Sequence, residues 1–185
     1  MENLLGLFIG ICLSAACGFR VFVPMLALGL ASHYGYINLS PGFQWIGSEG
    51  ALYAFGTATV LEVLAYYIPW IDNLLDVIGA PIAIIAGIVI TAAMLTELSP
   101  LAKWSTAVIA GGGTAGIFHG GTAAIRAGST GATGGFGNFL VSTGELFFAS
   151  SISILAIVVP LVCIAFVIIG LFVLVRKLVR RFRHA

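Results

Sequence analysis

Four ionisable residues stand inside long apolar stretches of this chain: Arg20, Glu62, His119 and Arg126. On insertion scales a charge at the centre of an apolar membrane helix costs roughly 2.5–3.5 kcal/mol, so such a residue faces protein or water and marks a solute path, a proton relay or an internal ion pair. Arg20 lies about 17 residues into the first apolar stretch, bracketed by Gly18 and Pro24. Proline removes a backbone donor and frees a carbonyl. A helix broken there would expose backbone groups beside a cation, an arrangement that suits an anion or carboxylate. Arg20 also reads as an anchor, paired with Glu62 across two helices. Glu62 shares a helical face with Phe55, Thr59 and Tyr66. Without a cation beside it, Glu62 would hold a proton; with Arg20 there, it would stay ionised and structural.

His119 and Arg126 are seven residues apart, on one face with Ala115 and Ala123. Small neighbours leave room for an imidazole acting as a relay or ligand, and equally for a hydrogen-bonded packing histidine. Arg126 falls near the end of its stretch, where it can snorkel. Asp72 and Asp76 form an i,i+4 pair that would bind a cation or solvate an outer helix face. Gly112, Gly116 and Gly120 make two GxxxG steps, and Gly6, Gly10, Ser14 and Gly18 make a second small-residue stripe. Such stripes let helix backbones approach closely, with pore lining a secondary role.

The elements that must position these residues follow from composition. Of 185 residues, 60% are hydrophobic and only 8% charged, and mean hydropathy is +1.13. Soluble domains carry about a quarter charged residues, so the chain falls in the membrane class. Five of its eight basic residues are Arg176, Lys177, Arg180, Arg181 and Arg183. A basic run beside an apolar segment marks a cytoplasmic end, which makes residues 176–185 a cytoplasmic tail and residues 1–175 one transmembrane domain. The first 31 residues lack a basic n-region and are too long for a cleaved signal, so they read as a retained helix.

About 20 apolar residues cross a bilayer core. Five spans are expected: Asn3 to Ser32, broken near Arg20; Ala51 to about Pro69; Pro81 to about Thr96; Lys103 to about Ala127; and Glu145 to Val175. The connector IPWIDNLLD should lie at the interface as an amphipathic helix. GSTGATGGFGN, residues 128–138, should be irregular backbone able to form an anion nest. The fifth segment would be about 46 Å long as one helix, so it must tilt, kink at Pro160 or protrude. With the C-terminus inside, five spans put the N-terminus outside.

The stretch SAACGFRVF resembles GTAGIFHGG, and IGSEGALYAFGTAT can be laid on FLVSTGELFFASSIS. A repeat of spans one and two in spans four and five, with a single span between, would have inverted topology, as many transporters do. Two unrelated glycine-rich hairpins are the alternative.

No HExxH, GxSxG or GxxxxGK[ST] occurs, and Cys12, Cys17 and Cys163 have no metal-ligand spacing. No cofactor, metal or nucleic-acid partner is expected, and no enzyme activity, a membrane enzyme acting on a lipid being the third alternative. With GFRVFVP, WIGSEGAL, LEVLAYYIPWIDNLLD, AGGGTAG and GGFGN in order, the chain resembles a bacterial family known only as domain of unknown function 4126. The resemblance implies a small inner-membrane protein whose whole chain is one domain; it brings no activity and no assigned residues. The residues themselves favour an all-α transporter or channel for a small solute or ion. Five spans leave little room for an aqueous path, so a homodimer in the lipid bilayer is expected. The alternative is a structural or accessory membrane protein whose polar residues hold its helices together.

Overall fold

A computed structural model describes residues 2–68 and 71–183; the side chains of residues 2, 72, 73, 76, 177, 178 and 181–183 lie outside that description. Among the described residues the chain is helical, with no strand. Its elements are α1 (Glu2–Cys17), α2 (Phe22–His33), a 3-10 turn (Gln44–Gly47), α3 (Glu49–Ala65), α4 (Ile71–Met94), α5 (Pro100–Thr106), a π-helical segment (Ala107–Gly112), α6 (Gly113–Thr133), α7 (Asn138–Val158) and α8 (Pro160–Arg183). Two stretches, Val77–Met94 and Asn138–Val158, are long and apolar enough to cross a membrane.

Local chemistry sets several boundaries. Ser48 caps α3 by accepting from Ala51 N at 3.3 Å. Ser99 caps α5 in the same way at 3.4 Å, and Pro100 fills the first helical position, where its missing N–H is harmless. α6 ends where Gly134 takes a left-handed φ of 65°, a conformation glycine adopts without the usual Cβ penalty.

Small residues fix the packing. A Cβ on Gly6 would strike Met94 O, one on Gly10 would lie 3.0 Å from Thr91 Cα, and Ser14 Oγ donates to Gly87 O at 2.9 Å. Contacts that descend α4 as they ascend α1 make the two helices antiparallel. Gly87 in turn meets Gly111 and Ala115, and Gly79 meets His119, so α6 is antiparallel to α4. Gly18 lies against Ala115, Phe118 and His119, and α6 therefore runs alongside α1 in the same direction. SAAC of the first stretch lies in α1 and GTAGIFHGG in α6, so these helical parts run parallel and not in the inverted relation expected between them. α8 joins this group through Gly170 against Phe118 and Gly121 against Leu174. Leu13, Ile90 and Val167 are buried among these four helices, and the same core continues to Met25 and Leu28 of α2 and Ala156 of α7.

The first expected span proves to be a hairpin. Beyond α2, Ser40 N donates to Ala93 O at 2.8 Å, at the end of α4 that Gly6 touches. The chain has thus turned back at residues 18–21. Gly18 permits the break, since a Cβ there would meet His119 N at 2.8 Å and Ala115 O at 2.9 Å. Pro24 does not interrupt a helix. It sits in the first turn of α2, where backbone N–H groups have no intrahelical acceptor.

The last expected span is likewise two helices. At Val159 the backbone takes φ −138° and ψ 68°, and Cys163 Sγ reaches Ile152 O at 3.6 Å. In one continuous helix eleven residues would separate those turns by about 16 Å. Pro160 lacks the N–H and crowds the carbonyl four residues back, so the chain folds over instead of kinking. Elsewhere helix is longer than expected. The connector after residue 70 is the first part of α4, and Pro81 is inside that helix, not at its start. Most of GSTGATGGFGN is the end of α6, and only residues 134–137 turn. No open nest forms there, because Gly134 N is bonded to Thr130 O at 2.8 Å and Gly137 N to Thr133 Oγ1 at 2.8 Å.

Candidate functional site

The break between α1 and α2 delivers Arg20 to the interior, where it is 1% exposed. Its Nη2 donates to Ser142 O of α7 at 3.0 Å and lies 3.5 Å from Glu145 Oε2. From α6, Arg126 donates to the same carboxylate oxygen. Glu145 thus bridges two guanidiniums that enter from different helices. Tyr66, just past the end of α3, supplies the second bridge. The Arg20 Cζ stands 3.7 Å from its ring centroid and the Arg126 Cζ 4.3 Å. Desolvated cation–π contacts of this kind contribute about 2 kcal/mol each. Four elements therefore meet on one buried constellation of two cations, one carboxylate and one aromatic face. Arg20 Nε and Nη1 and Glu145 Oε1 are buried there without a hydrogen-bond partner among the described residues. Unmet donors and an unmet acceptor in one place are costly for pure packing and are a recurrent mark of function.

Glu62 does not pair with Arg20. Its Oε1 accepts from Val21 N at 2.8 Å and its Oε2 from Phe22 N at 3.1 Å. These are orphan donors at the start of α2, and the positive end of the helix dipole adds to the attraction. A residue of α3 thereby caps α2 and holds the turn that carries Arg20. Arg126 does not snorkel; it is 2% exposed. His119 is also buried. It faces Gly79, whose Cβ position would be 3.0 Å from the imidazole Cε1 and 3.6 Å from Tyr66 Oη. The glycine leaves the space that the ring and the phenol occupy. The Asp72 and Asp76 side chains lie outside the described residues.

Two cavities approach the constellation. One of about 290 Å3 lies between α3 and α4 and is lined by Glu62 and Tyr66. Another of about 220 Å3 lies between α6 and α7 and is lined by Phe19, Thr122 and Glu145. Arg20 and Arg126 touch both Tyr66 and Glu145, so they stand between the two hollows.

Of the glycines singled out by spacing, Gly112 and Gly116 face Ile88 and Ile84 of α4, whereas Gly120 faces open space. Sequence reasoning missed Glu145 and Ser142. Glu145 had a legible signal, an acid seven residues into an apolar run that begins at Asn138, but placing a span boundary at Glu145 itself hid it.

The family profile described as "Domain of unknown function (DUF4126)" matches residues 7–180. The chain belongs to that family. No curated protein and no solved structure matches it. The matched stretch contains the α1–α2 break, Glu62, Tyr66, His119, Arg126 and Glu145, so the whole constellation lies within the family's domain.

Proposed function

We propose that this chain is a multi-pass protein of the bacterial cytoplasmic membrane that moves a small solute past the Arg20–Tyr66–Arg126–Glu145 constellation. The observation that carries the reading is the position of two buried guanidiniums between two cavities, with donors on Arg20 that have no hydrogen-bond partner among the described residues. In a bilayer core about 30 Å thick, α1 rises about 24 Å and α2 about 18 Å. They suit a re-entrant hairpin with Arg20 at its tip. Five full crossings remain, in α3, α4, the α5–π–α6 rod, α7 and α8. They are not the five segments that hydropathy marks out, because two of those fold back on themselves. The basic run at the end of α8 favours a cytoplasmic C-terminus, with the N-terminus outside.

A second reading has its own observation: Glu62 on α3 and Glu145 on α7 each tie separate helices together. On that reading the polar groups are pins in an accessory protein. Arg20→Gln separates the two. Its loss leaves Glu145 with Arg126, so the fold should persist. Proteoliposomes on a solid-supported membrane would be challenged in turn with chloride, phosphate, acetate, alanine and primary amines. At least one should evoke a transient current, and Arg20→Gln should reduce that current at least tenfold at normal folded yield. Silence of the folded wild-type protein toward the whole panel would sink the transport reading, and loss of yield together with current would favour the pins.

A further inference from the structure

We infer that the cavity between α3 and α4 binds a lipophilic organic cation whose ammonium N–H donates to Glu62. This rests on the membrane-embedded reading above and goes beyond it, assigning a ligand to the cavity beside the constellation. The cavity, about 290 Å3, is at the small end of the roughly 300–1,000 Å3 typical of ligand sites. Phe22, Leu61, Leu75, Ile78 and Ile82 make its walls, and Glu62 is the one charged side chain among the described residues that line it.

The state of that carboxylate points to the missing partner. Each oxygen takes one backbone N–H, whereas an ionised carboxylate offers about four lone-pair sites. Acceptor capacity therefore remains. The ion pairs seen for Arg20 and Arg126 run to Glu145, and Glu62 has no ion pair among the described residues. Arg20 acts on this carboxylate from beyond ion-pair distance, so its direct partners are two amides, and an ammonium inside the cavity adds a charge-assisted hydrogen bond at the acceptor sites still open. The walls select the remainder of the molecule. α3 has no buried residue among Glu49–Ala65, and Leu61, Ile78 and Ile82 are exposed while also lining the cavity. The opening therefore faces sideways, where the proposed bilayer would present its hydrocarbon, and admits molecules that dissolve there. A cation bonded to Glu62 shares the carboxylate with Val21 N and Phe22 N, which links occupancy to the turn carrying Arg20.

The test holds the apolar body constant and changes only charge. Purified full-length protein in detergent would be titrated with radiolabelled 1-adamantylammonium, with 1-adamantanol and adamantane-1-carboxylate as competitors. The ammonium should bind at least tenfold tighter than the alcohol, and the carboxylate should fail to compete. Glu62→Gln should remove that tenfold preference while the alcohol's affinity stays within about twofold. Ala58→Phe, which fills the cavity while keeping the Glu62 carboxylate, should abolish binding of both and serves if Glu62→Gln does not fold. Carboxylate binding as tight as ammonium, or ammonium affinity unchanged in Ala58→Phe, would overturn the inference. Glu62-dependent binding without uptake into proteoliposomes would support it and sink the transport reading alone. Currents evoked by other solutes with no ammonium binding would overturn it and leave transport standing.

Discussion

Glu145→Leu is expected to lower the thermal midpoint of the purified protein by roughly 6–20 °C, since breaking a buried ion pair costs about 3–5 kcal/mol and each kcal/mol is about 2–4 °C at this size. The reason is the sharing of Glu145 Oε2 between Arg20 and Arg126. Truncating it takes a carboxylate from two buried guanidiniums at once. Glu145→Gln should cost less, because its amide oxygen still accepts from Arg126. Removing the charges together, as in the triple variant Arg20→Met, Arg126→Met and Glu145→Leu, should recover much of the lost stability. Apolar residues of similar volume often replace a buried ionic cluster at little cost. Transport should not recover with it. Detergent-phase unfolding followed by tryptophan fluorescence gives the ranking directly. Should Glu145→Leu melt within about two degrees of wild type, the shared carboxylate is not what holds α1, α6 and α7 together at this point.

How much of this constellation was legible depended on whether the signal was local. Arg20 and Arg126 announced themselves, because a charge in an apolar run has few explanations. Their common partner did not, because the pairing of residues 20, 126 and 145 is a property of the packed bundle. Glu62 shows the same limit from the other side. Its place inside an apolar run was readable, yet its bonds run from the backbone N–H groups of Val21 and Phe22, and no side-chain pattern advertises a backbone donor. Helical reversal was also hidden. The apolar run from residue 3 to residue 32 has the composition of one long span, and the fold-back at residues 18–21 becomes visible only through Ser40 meeting Ala93. At Pro160 sequence located the break but not its sharpness. Glycine misled in one place and guided in another: Gly128 and Gly131 continue α6, where a loop was expected, while the Gly6–Gly10–Ser14 stripe fell on α4 as close-packing rules suggest.

The largest packing effect should come from Gly111→Val. A Cβ at Gly111 would lie 2.5 Å from Gly87 O and 2.8 Å from Thr91 Cβ. Neither can yield easily, because one is backbone and the other is tied to Ser14, whose Oγ is 3.0 Å from Thr91 Oγ1. α4 would have to leave both α1 and the π segment. That segment is what makes the position so tight. In a regular α-helix residues 111 and 112 point about 100° apart, yet Gly111 meets Gly87 and Thr91 while Gly112 meets Ile88 and Ile84. The wider π turn aims both glycines at α4, and π segments are rare enough that a retained one tends to serve a purpose. Overpacking a filled core typically costs about 1–3 kcal/mol, and the Ser14–Thr91–Gly87 bonds would be lost in addition. Gly111→Val should therefore yield little monodisperse protein on size exclusion. Gly120→Ala is the matched control: a Cβ there meets nothing within 4 Å. Replacing glycine by alanine in a helix interior is worth about 0.5–1 kcal/mol, so its thermal midpoint should hold or rise. Equal behaviour of the two variants would mean that α4 and the π segment do not approach as closely as their glycines allow.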